Sequence, residues 1–218
     1  MINLIKLHAK NLILVELQAL TAGFFMKTQK EKMFDGEPYD AHSDEMIAIR
    51  TKVKRILHRL NVTEYYTENF KAVLNELCPN SAKNIHFEPP FYCDYGDHIY
   101  AGEKVFINFG GVILDGAKVT IGAHTMLAPG VHIYTARHPL DADERDTWED
   151  CRPVTIGERC WIGGHVTICP GVTIGDRCVI GAGSVVVKDI PADSLAVGNP
   201  ARVIRKLNGT EDPKDLAC

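Results

Sequence analysis

No CxxC pair occurs in the 218-residue sequence, and its seven cysteines, Cys78, Cys93, Cys151, Cys160, Cys169, Cys178 and Cys218, are odd in number. Neither a disulfide framework nor a cysteine-built zinc site is signalled, and reduced thiols point to the cytoplasm. A basic excess is missing too: the net charge is -4 and the sequence pI about 6.1, so gripping nucleic acid or an anionic membrane surface is disfavoured. No uncharged apolar run reaches the ~18 residues of a membrane span. Residues 1–25 have the look of a weak signal sequence, but Glu16 interrupts the apolar part and no small-x-small cleavage site follows. They read as a short amphipathic helix, or as sequence upstream of a start at Met26, where "MKTQKEKM" has the character of an ordinary cytosolic N-terminus. A nucleophilic triad is not signalled, since there is no GxSxG.

What is present divides the chain by period. From Ser43, "SDEMIAIRTKVKRILHRLN" has a Ser cap, two acids in the first turn, apolar positions at Met46, Ile49, Val53, Ile56 and Leu60, and Asn61 as a stop. A second helix is expected from Thr63, with Tyr66, Phe70, Val73, Leu74 and Leu77 on one face. Residues 26–84 therefore form a small helical cap.

After Pro90 the beat changes to six. Ile156, Ile162, Ile168, Ile174, Ile180 and Val186 keep it throughout, and Val154, Cys160, Val166, Val172, Cys178 and Ser184 stand two residues before them. An aliphatic residue followed by a small one, repeated every six positions, is the pattern of a parallel β-helix in which three short faces close each coil. Cys160 and Cys178 then read as packing inside the coil, and His132 and His165 as solvated or corner histidines. The same phase is expected at Ile121, Leu127 and Ile133, and more weakly at Phe109. The coil spans 85–197, and 198–218, beginning "GNPARVIRKL", is a terminal segment with a polar tail.

Between Ile133 and Ile156 the spacing is not a multiple of six, so a loop over 134–153 is extruded. Loops that leave a solenoid cost little stability and are natural carriers of function. This one holds His138 beside Pro139, which restricts the histidine to extended backbone. An imidazole, with an unperturbed pKa of ~6.5, suits proton removal from a hydroxyl during attack on an acyl carbon. The chemistry is expected in "TARHP", and "LDADERDTWED" is expected to supply shape and surface.

The stretches "EKMFDGEPYD", "FEPPFYCDYGDHI", "FINFGGVILD", "IGAHTMLAPGVHIYTARHP", "PVTIGERCWIGGHVTICPGVTIGDRCVIGAGSVVVKDIP" and "GNPARVIRKL" resemble the hexapeptide-repeat sugar O-acetyltransferases, closest to the maltose type. The resemblance covers about 31 to 207 and implies a left-handed parallel β-helix, acetyl transfer from acetyl-CoA to a sugar hydroxyl, and a homotrimer with sites between subunits. His138 matches the family's base and Asn108 a residue at the reaction centre. Asp40, Asp94 and Asn108 match acceptor-binding positions, with Asp115 beside them. Trp161, Gly164, Ala182, Val187, Lys188, Arg202 and Arg205 match the CoA groove, Val187 standing where a threonine is frequent. Gly116 stands where the galactoside enzymes carry a second carboxylate, and Asp94 where they carry a serine.

Two other readings use the same coil. A metal-dependent carbonic anhydrase type would need three histidines to converge across a subunit interface; His124, His132 and His138 are available, but the sequence shows no pattern for that, and no metal is expected. A trimeric scaffold that has lost its chemistry would have no physical reason to keep His138, Asn108 and the basic residues of the donor side together.

Overall fold

The computed structural model describes residues 26–207 and Gly209; the expectations for 1–25, for the tail and for Cys218 lie outside them. Three helices lead into the coil: α1 (Gln29–Phe34), α2 (Asp44–Val62) and α3 (Glu68–Leu77). No helix among the described residues is long and apolar enough to cross a membrane.

The α1 helix is only six residues long, and it is fixed by a reciprocal cap in which the Thr28 side chain accepts from Glu31 N while the Glu31 carboxylate accepts from Thr28 N. Sequence reasoning passed over it. The α2 helix buries Met46, Val53, Ile56, Leu57 and Leu60; Ile49 is only half-buried, and Leu57 was not expected. Asn61 does not end the helix. It lies within it, and its side chain donates to Phe91 O (3.0 Å) and accepts from Phe91 N (2.9 Å), stapling the cap to the coil. The α3 helix begins five residues later than expected, with Thr67 as the capping side chain for Phe70 N. Tyr66 is left out because its backbone sits at φ 62, a left-handed conformation that no helix continues through. Its ring is therefore exposed while Phe70, Val73, Leu74 and Leu77 pack inward.

From His86 the chain winds into three sheets of seven, four and five strands, with successive parallel strands of each sheet coming from successive turns and one antiparallel strand, Arg202–Lys206, added at the end of the first. Residue i pairs with i+18 wherever the beat is unbroken: Ile156 with Ile174, Ile162 with Ile180 and Ile168 with Val186. Three faces of six residues give that register. Every core position of the long run is buried, including Cys160, Cys178 and Ser184 two residues before their partners.

The earlier turns are also regular, except at one corner. The five-stranded face carries the inward series Cys93, Ile113, Ile133, Ile168 and Val186, and the four-stranded face that follows it carries Ala101, Ile121, Ile156 and Ile174. Cys93 to Ala101 and Ile113 to Ile121 are each eight residues rather than six, Ile133 to Ile156 is twenty-three, and Ile168 to Ile174 is six again. All three excursions therefore leave from the same corner and lie one above another. The two-residue insertions also displace the phase: Ile107, not Phe109, is the core residue that pairs with Leu127, and Phe109 is exposed.

One apolar core runs the length of the coil and joins α2 and α3, while a second, smaller cluster of Met33, Tyr39, Met46, Tyr95, Ala117 and Cys151 lies under the excursions.

Candidate active site

The large excursion is closed at its base by an antiparallel clasp in which Ala136 and Arg137 pair with Cys151 and Asp150. The Arg137 guanidinium grips Asp150 through two bonds of 2.9 and 2.5 Å, and Arg152 adds a third at 3.2 Å. Such a forked contact fixes direction as well as distance. It holds the Asp150 carboxyl below the ordinary range, chiefly through the Arg137 bonds. His138 stands one residue beyond the clasp on the outgoing strand and Glu149 one residue before it on the return.

That placement brings the His138 Nε2 to 3.3 Å from Glu149 Oε2. The imidazole is more than half exposed, at 56%, whereas the Glu149 side chain is only 15% exposed, so the carboxylate is the fixed partner and the ring the accessible one. Glu149 lies in the segment expected to supply shape and surface, yet its side chain is mostly buried and faces His138. Nothing in the sequence separated it from the neighbouring acids, because the clasp that aims it is a three-dimensional event. Asp40 shares a cleft with His138, Glu149, His42, Arg145 and Trp148, and its Oδ1 accepts from His42 N at 2.8 Å.

Asp94 lies elsewhere, on the smaller excursion at the same corner. It borders a cavity of about 460 Å³ between α2 and the coil, which Lys54, His58, Asn61 and Tyr92 also line. Burial pushes its carboxyl above the ordinary range, with Arg50 and Lys54 pulling it back. Asp115 does not face this cavity. It is fully buried, and its two oxygens accept the N–H groups of Asp94, Tyr95 and Gly96 at 3.0, 2.9 and 2.6 Å. Burial pushes this carboxyl up to about 7 against the opposing pull of the backbone donors. Within the chain Asp115 stands beside Asp94 and holds the turn that presents it.

Asn108 is at a different corner. It follows core residue Ile107, and above it on successive turns stand Ala128, Gly163 and Gly181, each donating its N–H to the carbonyl one turn away as Asn108 does to Leu127 O. Its Oδ1 accepts from Phe109 N at 2.8 Å, which leaves the amide nitrogen as its donating end. Gly164 and Ala182 belong to this corner too, and Gly183 N bonds Gly164 O at 2.8 Å. Trp161 is on the seven-stranded face between Met126 and Val179. Arg202 and Arg205 lie on the terminal strand Arg202–Lys206, which adds antiparallel to that face through Ser194–Val197. Val187 and Lys188 are exposed immediately after the core residue Val186, at the excursion corner.

Seven of the predicted residues therefore fall into two sets within one chain. Asp40, Asp94, Asp115 and His138 gather at the excursion corner, and Asn108, Gly164 and Ala182 line the next one, with the five-stranded face between them. Within one chain His124 lies at a corner following Ile121, and the His132 Nδ1 meets the Tyr134 hydroxyl at 2.7 Å. Among the described residues no group of three or more His, Cys, Asp or Glu could hold a metal ion.

Residues 153–188 match the family described as "Bacterial transferase hexapeptide (six repeats)", and residues 32–80 match "Maltose acetyltransferase hexapeptide capping motif". A Saccharomyces cerevisiae protein whose name places it with the acetyltransferases is 49% identical over 180 residues, covering 81% of this chain and 92% of that protein. A maltose O-acetyltransferase structure from Clostridium difficile 630 is 45% identical with a TM-score of 0.80, covering 83% of this chain and 98% of that one. A hexapeptide-repeat-containing acetyltransferase from Vibrio cholerae O1 biovar eltor, solved with acetyl-CoA, is 40% identical with a TM-score of 0.75, covering 85% of this chain and 100% of the other.

Proposed function

The chain belongs to the hexapeptide-repeat acetyltransferases that carry a maltose acetyltransferase-type cap, and we propose that within this family it moves the acetyl group of acetyl-CoA directly to a sugar hydroxyl, with His138 as the base. The observation that carries this reading is the His138–Glu149 contact at 3.3 Å in a cleft shared with Asp40. A carboxylate on Nε2 keeps the ring proton there, which leaves the Nδ1 lone pair to take a proton.

In the reaction the acceptor hydroxyl gives its proton to His138 as its oxygen attacks the thioester carbonyl. The tetrahedral oxyanion then collapses, the C–S bond breaks, and the proton returns from the imidazolium to the departing CoA sulfur. Asn108, whose amide oxygen is engaged by Phe109 N–H, keeps its nitrogen as a side-chain donor suited to the oxyanion. Asp40 and Asp94 accept from sugar hydroxyls, which carboxylates do in pairs. The small residues Gly164 and Ala182 leave room for pantetheine to lie along the coil, and Lys188, Arg202 and Arg205 suit the phosphates.

One chain keeps His138 and Asn108 on opposite sides of the five-stranded face. A homotrimer in which the excursion corner of one subunit meets the Asn108 corner of the next would unite them, so the site is assigned to the interface between subunits.

The test is release of CoA thiol from acetyl-CoA with maltose, glucose, galactosides and amino sugars as acceptors. Replacing His138 with Ala is expected to lower turnover by ~10²–10⁴-fold while CoA still binds. Near-normal turnover in that variant removes His138 from the mechanism, and silence of the unaltered protein across the panel removes the sugar reading.

A further inference from the structure

The cap and the large excursion meet in a second place that neither the family pattern nor the loop's sequence singles out. Tyr39 comes from the segment between α1 and α2, 110 positions before Glu149, and the two backbones pair reciprocally: Tyr39 N donates to Glu149 O (3.0 Å) and Glu149 N to Tyr39 O (3.2 Å). This isolated antiparallel bridge places the two side chains side by side, and the Tyr39 hydroxyl donates a short hydrogen bond to Glu149 Oε1. The other oxygen, Oε2, is the one that faces His138. Cys151 Sγ lies 3.6 Å from the same hydroxyl.

Tyr39 is 3% exposed and packs in the small cluster with Met33, Met46, Tyr95, Ala117 and Cys151. A ring fixed on all sides presents its hydroxyl in one direction only. Burial is also the largest cause of a pKa pushed far above the ordinary phenol range, so the group stays a donor. The carboxylate consequently has one oxygen committed to a rigid donor and one left for the imidazole.

We infer that Tyr39 is a positioning residue for acetyl transfer: its hydroxyl orients Glu149, and through Glu149 it sets the tautomer and direction of His138. The inference rests on the reading of His138 as base. It adds that the cap is part of the catalytic apparatus and not only a lid on the end of the coil, because the third member of the series Tyr39–Glu149–His138 is supplied by the cap. A carboxylate that orients a histidine acts by holding the tautomer, and an outer partner of such a group is typically worth ~10–100-fold in activity.

Tyr39→Phe preserves the ring and removes only the hydroxyl. It is expected to lower kcat about ten-fold or more with the KM for acetyl-CoA unchanged, and the Tyr39→Phe, Glu149→Gln double variant should be no slower than Glu149→Gln alone, since both changes break one series. A purely structural tyrosine would give losses that multiply. Nitrogen-15 NMR of the His138 ring, assigned with His138→Gln, supplies a readout independent of turnover. The neutral ring should hold its proton on Nε2 in the unaltered protein and populate both tautomers in Tyr39→Phe. Unchanged kcat, multiplicative losses or an unchanged tautomer ratio would each overturn the inference. If the unaltered protein releases no thiol with any acceptor, the acetyl-transfer reading has failed, and the tautomer ratio still decides whether Tyr39 positions the ring.

Discussion

Adding a single carbon at Gly116 tests whether the corner under the site is packed as tightly as the geometry requires. A Cβ built there meets Cys151 Sγ at 2.3 Å, where nonbonded heavy atoms normally rest about 3.5–4.0 Å apart, so the sulfur must yield by more than 1 Å. It has little room to do so: Cys151 is fully buried, its sulfur lies 3.6 Å from the Tyr39 hydroxyl, and Thr135 Oγ1 stands 3.6 Å from the new carbon. Thr135 is itself tied to Leu114 O and Ala117 N. Gly116 has no positive φ, so Ala would otherwise stabilise by ~0.4–1 kcal/mol through the unfolded chain. Overpacking instead costs about 1–3 kcal/mol, and the sign of the effect therefore decides the matter. At roughly 2–4 °C per kcal/mol for a chain of this size, Gly116→Ala should unfold about 2–12 °C below the unaltered protein in a thermal melt followed by circular dichroism. Cys151→Ala alone should cost ~1 kcal/mol for the small cavity. The double variant should unfold close to Cys151→Ala, a coupling of ~1–3 kcal/mol. Additive losses, or a Gly116→Ala protein as stable as the parent, would refute the packing argument. The same contact bears on acceptor choice: the second carboxylate of the galactoside pattern has no room at 116 unless Cys151 shrinks with it.

Asp115→Asn replaces the oxygen that accepts Gly96 N–H with a donor or, turned the other way, surrenders both of the bonds from Asp94 and Tyr95. An unsatisfied buried amide costs ~1–3 kcal/mol, and the loosened turn should raise the KM for the acceptor several-fold with no change in the KM for acetyl-CoA. Steady-state kinetics with each substrate varied in turn reads this. For Asp150, whose folded pKa is depressed by Arg137, the stabilisation is present above the unfolded value of ~3.9 and lost as pH falls through the folded value. The difference in stability between the unaltered protein and Asp150→Asn should thus shrink below pH ~4 in denaturant titrations, and a difference constant down to pH 2.5 would count against it.

The coil was legible in the sequence because its restraint is local and periodic: each inward residue must be aliphatic wherever it recurs, as Ile162 and Ile180 show by pairing directly. Phe109 was placed in the core because the periodic argument assumes equal turns. The two residues added between Ile113 and Ile121 shift everything before them, and no composition signal marks so short an insertion. Helix α3 was started early for a related reason. Thr63 and Thr67 both have the chemistry of a cap, and only the left-handed backbone at Tyr66 decides between them. At the site, His138 stood out because Pro139 and the broken beat isolate it. Glu149 and Tyr39 did not, since each is aimed by a contact with a distant segment, and Asp115 was marked by the resemblance alone, not by the turn that it holds.

Those contacts follow one plan, which explains why the three excursions share a corner. The first two are tied down by a side chain from the turn above: Asp115 takes the N–H groups of the 94–96 turn, and the Thr135 hydroxyl takes Ala117 N–H in the next. Backbone groups that leave a β-helix lose their partners in the neighbouring turn and must find others or face water. A side chain from the following turn supplies those partners only if that turn also widens at the same place. An excursion therefore favours another directly above it, and the series ends where the large loop closes on its own antiparallel clasp and meets the cap through Tyr39. The opposite requirement holds at the Asn108 corner, where Asn108, Ala128, Gly163 and Gly181 keep the beat of six and the N–H of each of the four reaches the next turn. On the proposed function, a straight groove for a donor of fixed shape belongs at the regular corner and acceptor selectivity at the widened one. Exchange of excursion segments between relatives should accordingly change which sugar is acetylated while leaving the affinity for acetyl-CoA in place.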